Sequence, residues 1–194
     1  MSGLRVIGGS VRGRKLRSVP GSTTRPITDR VKEALFNILG ADIGAAWVLD
    51  LFAGTGSVGI EALSRGAEFV HFIDLDRQAV ATIKANLETT GFNAQAQVQR
   101  ISAFSYLQQT PDRQFDYVYV APPQYKGLWV QALQGLDAQP DWLSADAWII
   151  VQIHPREYEA LSFKHIIEFD QRSYGSTLLV FYKYMSQEWD EEGE

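Results

Sequence analysis

The sequence predicts an α/β fold built around one mostly parallel sheet. From residue 47 onward, short apolar runs of strand length alternate with longer amphipathic segments of helix length. That spacing is typical of parallel strands joined by crossover helices. Only residues 171–175 separate the last two apolar runs, which is too short for a helical crossover, so we expect these runs to pair as an antiparallel hairpin. With 194 residues, the chain has room for one such domain and not two.

Local signals place each element along the chain. Residues 4–8 and 14–19 are predicted to form a short basic hairpin, and a helix should begin after the N-cap Thr28 and end at Gly40. Hydrophobic periodicity predicts the remaining elements. The strands are 47–51, 69–73, 96–101, 115–120, 147–153, 165–170 and 176–184. The helices are 58–65, 77–90, 104–109, 127–136 and 155–161. The expected divisions are an amino-terminal hairpin arm over 1–26, an α/β domain over 27–185 and an acidic tail over 186–194.

A glycine-rich turn follows the first strand of the predicted sheet. The segment is Asp50-Leu51-Phe52-Ala53-Gly54-Thr55-Gly56-Ser57-Val58-Gly59. Its glycines let the backbone bend sharply and approach a ligand closely, and the helix that follows has an electropositive N-terminus. The turn therefore predicts a nucleotide-type pocket. The same spacing also occurs in dinucleotide-binding proteins and in turns that bind nothing, so the glycines alone do not identify the ligand.

Two acidic residues favour a cationic ligand over a pyrophosphate. Asp50 lies before the glycines, where a phosphate would be repelled. Asp74 ends the next strand, twenty positions after Gly54, where a carboxylate can bind both ribose hydroxyls. S-adenosylmethionine carries a sulfonium and an amino group and no phosphate. The turn thus resembles the first motif of class I S-adenosylmethionine-dependent methyltransferases, whose Rossmann-like sheet is also parallel first and antiparallel last.

Basic residues are concentrated at the amino-terminal end. Residues 1–32 contain eight basic side chains and one acidic side chain, whereas the remainder contains ten basic and twenty-two acidic side chains. A basic arm on an acidic body is typical of a protein that meets a phosphate backbone, although charged hairpins can also serve solubility alone. The candidate RNA-binding residues are Arg5, Arg12, Arg14, Lys15, Arg17, Arg25 and Arg30.

Composition excludes several other classes of function. No apolar run approaches the roughly 20 residues that span a bilayer, and the N-terminus lacks a secretory apolar region, so we expect a cytoplasmic protein with no membrane partner. The chain has no cysteine and only three widely spaced histidines, so we expect no metal site.

A second candidate site follows the strand 115–120. The segment Ala121-Pro122-Pro123-Gln124-Tyr125 lies at a strand's carboxyl end, the edge where the glycine turn is also predicted. The prolines fix the backbone and remove two N–H donors, and Tyr125 offers a face on which a flipped base can stack. The segment therefore predicts an acceptor loop for an exocyclic amine, with an ordinary turn and a packing tyrosine as the alternative.

Several short motifs are distributed along most of the chain. They are Arg5-Val6-Ile7-Gly8-Gly9, Arg12-Gly13-Arg14, Arg25-Pro26-x-Thr28-Asp29-Arg30-Val31-Lys32-Glu33-Ala34-Leu35-Phe36-Asn37, the Asp50 to Gly56 turn, Glu61-Ala62-Leu63-Ser64-Arg65-Gly66-Ala67 and Tyr174-Gly175. Together these motifs resemble the RsmD family of 16S rRNA methyltransferases, which methylate the exocyclic N2 of a guanine. The resemblance implies that 27–185 is a methyltransferase domain, that S-adenosyl-L-methionine is the cofactor, and that the substrate is small-subunit rRNA or its assembly particle. We expect the protein to be a monomer.

The resemblance also implies roles for matching positions. Asp50 and the backbone from Phe52 to Gly56 would hold the methionine part of the cofactor, Asp74 the ribose, and Ser102 with Ala103 the adenine edge. The implied cofactor-binding residues are Asp50, Phe52, Ala53, Gly54, Thr55, Gly56, Asp74, Leu75, Ser102 and Ala103.

The acceptor loop departs from the family pattern. That pattern is Asp-Pro-Pro followed by Phe or Tyr, whereas this chain has Ala121, and its aromatic residue comes one position later, after Gln124. The Pro122 carbonyl and the Gln124 side chain can still orient an amine by neutral hydrogen bonds. One alternative is a cofactor-binding RNA-binding or ribosome-assembly module that has lost the chemistry. Another is an enzyme of the same fold acting on a protein glutamine or a DNA base.

Overall fold

The computed structural model describes residues 3–21 and 27–186. Contacts divide the chain into two compact units, Met1–Tyr106 and Leu107–Glu194, here called unit 1 and unit 2. Residues 22–26 of the expected arm, and the expected acidic tail after Ser186, lie outside the described residues. The division into an arm, a domain and a tail therefore stays a prediction.

Unit 1 contains three parallel strands in the order β3-β2-β1. Its elements are α1 (Asp29–Leu39), β1 (Trp47–Leu51), α2 (Ser57–Ser64), β2 (Phe69–Asp74), α3 (Arg77–Thr90), β3 (Ala96–Arg100) and the start of α4 (Ala103–Leu107). In β1 and β2 consecutive residues are buried, as expected for parallel strands covered on both faces. The strand order brings the carboxyl ends of β1, β2 and β3, each followed by candidate site residues, to one edge.

Helix α1 begins and ends where its sequence signals predict. The Thr28 Oγ1 accepts a hydrogen bond from the Val31 N–H, which satisfies one of the free N–H groups of the first turn. Gly40 ends the helix with a positive φ of 60°. Apolar side chains on one face, including Leu35 and Phe36, are buried, so the helix is fixed by packing as well as by its caps.

Unit 2 contains four strands in the order β4-β5-β7-β6. Its elements are β4 (Phe115–Val120), α5 (Leu128–Ala138), β5 (Leu143–Ile153), β6 (Ile166–Tyr174) and β7 (Thr177–Tyr184). Strand β5 is parallel to β4 and antiparallel to β7, and β6 pairs antiparallel with β7. The antiparallel hairpin expected at the end of the chain is therefore confirmed.

Two predicted elements are wrong in form. The arm does not form two strands: the described residues show one isolated antiparallel bridge, between Arg5 and Lys15. Backbone hydrogen bonds such as that from the Val6 N–H to the Arg14 carbonyl join its two halves, but the Ile7 N–H and the Arg17 N–H bond to Glu61 and Asn86 instead, so the ladder does not extend. The predicted helix 155–161 is only a 3-10 turn, Pro155–Glu157. Tyr158 is extended and its hydroxyl donates to the Glu168 carboxylate on β6, so tertiary contact overrides the helical pattern there.

A buried carboxylate of α2, that of Glu61, holds two backbone N–H groups of the arm. Glu61 has no exposed surface, and its two oxygens accept hydrogen bonds from the Ile7 N–H at 2.9 Å and the Gly8 N–H at 2.8 Å. Arg65, the residue directly after α2, donates to the same carboxylate at 2.9 Å. The arm is thus held by backbone contacts to a charged side chain of the unit's core.

Lys32 is the buried cation of this cluster. Its Nζ lies 3.4 Å from a Glu61 oxygen and donates to the Arg5 carbonyl at 2.6 Å and to the Ser57 Oγ at 3.0 Å. Burial lowers the pKa of Lys32, and the neighbouring Glu61 opposes that shift. Although the sequence places Lys32 in the basic amino-terminal stretch, it is not available to a phosphate.

We expect Lys32→Met to lower the free energy of unfolding by about 3–5 kcal/mol, because it leaves Glu61 without its fully buried partner. Arg30→Met is the matched control, since Arg30 is an exposed cation of the same helix and surface changes usually stay within about 0.5 kcal/mol. Urea unfolding followed by circular dichroism measures both. Equal losses in the two variants would contradict a structural role for the buried pair.

Candidate cofactor and RNA site

The glycine turn is built by short backbone hydrogen bonds at the end of β1. The Gly56 N–H donates to the Ala53 carbonyl at 2.8 Å, and the Ala53 N–H donates to the Ile73 carbonyl of β2 at 2.9 Å. Phe52 begins the turn with a left-handed φ of 63°, which costs a non-glycine residue about 1–2 kcal/mol. Its ring meets the edge of Phe104 on α4, with centroids 5.9 Å apart. Packing therefore sustains a strained backbone at the predicted site.

Each of the three glycines of the turn is favoured at its position for a different physical reason. A Cβ built on Gly54 would meet no atom within 4 Å, so this position opens onto free space. A Cβ on Gly59 would lie 2.3 Å from the Phe72 ring, so Gly59 allows close packing of α2 on the sheet. Gly56 takes a φ of 74° at the N-cap of α2. Gly54 is thus the position at which a ligand can approach the backbone closely.

Asp50 is a buried carboxyl group beside this turn. It is 2% exposed and accepts a hydrogen bond from the Gly59 N–H at 3.3 Å. Burial raises the pKa of Asp50 to about 8, with a further rise from the negative charge of Asp74 and an opposing effect of the Gly59 hydrogen bond. Without a ligand the group is therefore mostly protonated at neutral pH. A cation placed against Asp50 would stabilise the ionised form.

Asp74 joins the end of β2 to the glycine turn. One carboxylate oxygen accepts the Gly54 N–H at 2.8 Å, and the other accepts the Asp76 N–H at 2.9 Å. Because a carboxylate has about four acceptor positions, both oxygens keep a lone pair for a further donor such as a hydroxyl. Leu75, the next residue, is 62% exposed and presents apolar surface beside this carboxylate.

The end of β3 leads directly into α4. Ser102 Oγ accepts the Ser105 N–H at 3.0 Å and so caps the helix, while Ala103 is buried. In unit 1 the structure thus brings the predicted turn, Asp74 and the segment after β3 to one edge of the parallel strands. Their roles toward a cofactor stay predictions.

Asn86 is a site residue that the sequence did not single out. This fully buried side chain on α3 donates to the Thr55 carbonyl in the glycine turn at 2.9 Å. It also accepts the Arg17 N–H at 2.7 Å and donates to the Arg17 carbonyl at 3.1 Å. Asn86 therefore ties the arm to the turn. The signal in the sequence is a polar residue at a buried position of an amphipathic helix.

The candidate RNA-binding side chains of the described residues are exposed. They are Arg5, Arg12, Arg14, Lys15, Arg17 and Arg30. Arg25 lies outside the described residues. Arg5 also pairs with Asp29 of α1 at 3.0 Å, which fixes its guanidinium beside the start of that helix.

The acceptor loop of unit 2 has one buried and several exposed residues. Pro122 is buried, whereas Pro123, Gln124 and Tyr125 are exposed, and Ala121 is partly exposed. Tyr125 is 64% exposed and adopts a left-handed φ of 60°. Its phenol face is therefore available to a planar partner. Sequence reasoning missed the acid that holds this residue, Glu157, whose carboxylate accepts the Tyr125 N–H at 2.6 Å.

Residues 3–21 and 27–186 contain neither a membrane-spanning helix nor a metal-binding cluster. In this part of the chain no helix combines the length and apolar composition needed to cross a bilayer. The same residues hold no cluster of three His, Cys, Asp or Glu side chains suited to a metal ion.

We expect Asp50→Asn to change how stability depends on pH. In the unfolded chain Asp50 loses its proton near pH 4, whereas the folded protein keeps it to about pH 8. The contribution of Asp50 to stability is therefore full below pH 4 and falls, by at most about 1.4 kcal/mol per pH unit, as the pH rises toward 8. Urea unfolding at pH 5, 6, 7 and 8 measures this. The free energy of unfolding of Asp50→Asn should rise relative to that of the wild type as the pH increases.

Asp42→Asn, which alters an exposed carboxyl of the same unit, is the matched control. A constant difference between Asp50→Asn and the wild type across this range would show that Asp50 is ionised in the folded protein.

Comparison with known proteins places this geometry in a family. A family model described as "Conserved hypothetical protein 95" matches residues 4–183. The chain is 41% identical over 151 residues to "Ribosomal RNA small subunit methyltransferase D" of Haemophilus influenzae. The matched region covers 77% of this chain and 78% of that relative. The solved structure of yhhF from Escherichia coli has a TM-score of 0.85 and 34% identity, covering 96% of this chain and 100% of that chain.

A more distant structure shows the fold alone. It is an RNA methyltransferase from Salinibacter ruber in complex with S-adenosyl-L-homocysteine, with a TM-score of 0.63 and 13% identity over 88% of this chain and 100% of that chain. The predicted fold is confirmed: a Rossmann-like, class I S-adenosylmethionine-dependent methyltransferase sheet, mostly parallel with an antiparallel end. Since the family model matches nearly the whole chain, this protein belongs to the Conserved hypothetical protein 95 family, the RsmD family that its motifs resemble.

Proposed function

We propose that this chain is an S-adenosylmethionine-dependent methyltransferase that acts on the exocyclic N2 amine of a guanine in small-subunit rRNA. The observation that carries the proposal is the buried Asp50 carboxyl beside a glycine turn that opens at Gly54. A buried carboxyl group beside an open turn suits a ligand that carries positive charge and no phosphate. Family membership, with a relative named as an rRNA methyltransferase, supports the same activity.

The residues of unit 1 fit this cofactor by their chemistry. Asp50 would face its cationic methionine part, the Gly54 backbone would approach it closely, and Asp74 would accept from the ribose hydroxyls. Ser102 and Ala103 would lie along the adenine edge. When bound, S-adenosylmethionine supplies the methyl group: the amine lone pair forms the new C–N bond as the S–C bond breaks, and the amine then releases a proton.

The acceptor loop would orient the amine by neutral groups. Ala121 supplies no carboxylate, so the Pro122 carbonyl and the Gln124 side-chain oxygen are the acceptors that the loop offers. A neutral acceptor in place of a charged one costs about 1–2 kcal/mol, or roughly one order of magnitude in rate. Correct orientation of the lone pair supplies much of the remaining acceleration. Tyr125 would stack on the flipped base and keep it in place.

Ala121 is also the observation that favours the second candidate, a cofactor-binding RNA-binding or assembly module without transfer activity. The strained, exposed Tyr125 favours the enzyme, because a left-handed tyrosine held by a side-chain hydrogen bond is costly to maintain without a function.

The proposed function also suggests where the protein acts and in which oligomeric state. Small-subunit rRNA, free or in an assembly particle, would place it in the cytoplasm. All of the proposed cofactor, base and phosphate contacts lie on one chain, so we propose that a monomer suffices for transfer.

We expect the wild-type protein to transfer labelled methyl groups from S-adenosylmethionine to a guanine of small-subunit rRNA or its assembly particles. Asp74→Asn should reduce transfer strongly, because the variant loses the negative charge that strengthens hydrogen bonds from the ribose hydroxyls. The asparagine oxygen can still accept the Gly54 N–H, so the glycine turn should remain intact. Ala121→Asp should raise kcat by roughly tenfold if the missing carboxylate limits the rate. Asp76→Asn is the control, since Asp76 is an exposed neighbour that caps α3.

The two candidates give different results in this assay. If the wild type binds S-adenosyl-L-homocysteine and RNA yet transfers nothing on RNA or on particles, the module is correct and the enzyme proposal fails.

We expect removal of arm cations to weaken RNA binding in a salt-dependent manner. The double variant Arg12→Ala, Arg14→Ala should lower the magnitude of the slope of log affinity against log salt concentration by about 1.4–1.8, because each lost phosphate contact removes about 0.7–0.9. Lys164→Ala, an exposed cation of unit 2, is the control. Filter binding between 50 and 300 mM salt measures the slope, and an unchanged slope in the double variant would rule out the arm as the phosphate contact.

A further inference from the structure

One short turn after β5 contacts the acceptor loop of unit 2. The residues His154, Pro155, Arg156 and Glu157 form a single 3-10 turn that closes on itself. The His154 Nδ1 accepts the Arg156 N–H at 3.1 Å, and the Glu157 carboxylate accepts the His154 N–H at 3.1 Å. The turn is therefore a compact capped structure whose carboxylate and imidazole have fixed positions.

Glu157 uses its second oxygen outside its own turn. This oxygen accepts the Tyr125 N–H at 2.6 Å, a charge-assisted bond between residues 32 positions apart in the chain. One carboxylate thus holds two backbone N–H groups, one in each segment. Because the bond joins the side chain to the backbone of Tyr125, it constrains the peptide and leaves the phenol ring exposed.

Tyr125 needs such a constraint. Its φ of 60° is left-handed, which costs a residue with a Cβ about 1–2 kcal/mol, so without a tertiary contact the loop would relax to other conformations. The hydrogen bond from its N–H compensates for this cost. Gly127, two positions later, also has a positive φ of 62° but carries no side chain to be directed. At Tyr125, by contrast, the left-handed backbone also sets the direction in which the phenol ring projects.

The ring of Tyr125 lies against the imidazole of His154. Their centroids are 5.7 Å apart, with an angle of 41° between the planes. That distance leaves no space for a base between the two rings, so a base would stack on the exposed part of the phenol that is turned away from His154. The two contacts together, through the backbone N–H and through the ring, fix both the position and the tilt of Tyr125.

We propose that Glu157 is a positioning residue for methyl transfer, which acts through Tyr125 by holding its backbone left-handed and its ring against His154. This inference rests on the proposed function, in which the phenol stacks on the target guanine. Glu157 is an acid, which would repel a phosphate, and its two oxygens accept the Tyr125 and His154 N–H groups of unit 2. Its loss therefore alters the orientation of the bound base and leaves cofactor affinity and the grip of the arm on RNA unchanged.

The test is a double-mutant cycle between Glu157 and Tyr125, measured by single-turnover methyl transfer to small-subunit particles. Glu157→Ala alone should lower the transfer rate by roughly 10- to 100-fold, with KM for the particle changed by less than about threefold. In the Tyr125→Ala background the same substitution should have almost no further effect, because Glu157 acts through Tyr125. Glu157→Gln keeps one acceptor oxygen and should restore part of the rate.

Matched controls separate this role from general damage. Glu159→Ala removes an exposed acid two positions along the same segment and should transfer at the wild-type rate. Thermal unfolding and calorimetric binding of S-adenosyl-L-homocysteine show whether Glu157→Ala is folded with an intact cofactor pocket. If Glu157→Ala lowers the rate equally with and without Tyr125, the residue does not act through the tyrosine and the inference fails. If the wild-type protein itself transfers no methyl group, the proposed function is contradicted instead, and the variants need not be compared.

Discussion

The carboxylate of Glu61 is the interaction on which unit 1 depends most. Removing a charge from water costs several kcal/mol, and only close partners offset it. Glu61 obtains them from two N–H groups of the arm, from Lys32 and from Arg65. Since Gly56 is the N-cap of α2, the helix that carries this carboxylate begins directly after the glycine turn of the predicted cofactor site. The arm is therefore part of the same packed structure as the turn.

Hydrogen bonds of the Asn86 and Lys32 side chains also connect the arm with the glycine turn and the start of α2. Asn86 bonds to both backbone groups of Arg17 and to the Thr55 carbonyl, and Lys32 reaches both the Arg5 carbonyl and the first residue of α2, Ser57. Exposed cations project from a backbone that is fixed at several points. A phosphate contact made by such an arm needs little ordering of the chain, so less of the binding free energy is lost as conformational entropy.

Unit 2 uses the same principle at the acceptor loop. A carboxylate, here Glu157, accepts backbone N–H groups from segments that are distant in sequence and sustains a conformation that local preferences disfavour. In each unit one candidate site residue, Phe52 or Tyr125, has a left-handed φ that tertiary contacts maintain. Ala45 and Asp146, which are not candidate site residues, also have left-handed φ values, so it is the position of Phe52 and Tyr125 at the predicted sites, together with their strain, that points to binding.

The sequence by itself determined the α/β class, the antiparallel end, the caps of α1 and the glycine turn, because these follow from local periodicity, from capping and from backbone freedom at glycine. Tertiary structure decided whether each charge is exposed or buried, since Lys32 and Arg30 look alike in sequence and only packing separates them. It also decided that the arm forms a single bridge and that residues 158–161 are not helical, because contacts with Glu61, Asn86 and Glu168 outweigh local propensity. Asn86 and Glu157 were not predictable for the same reason: their partners are distant in sequence, and only the fold brings them within hydrogen-bond distance.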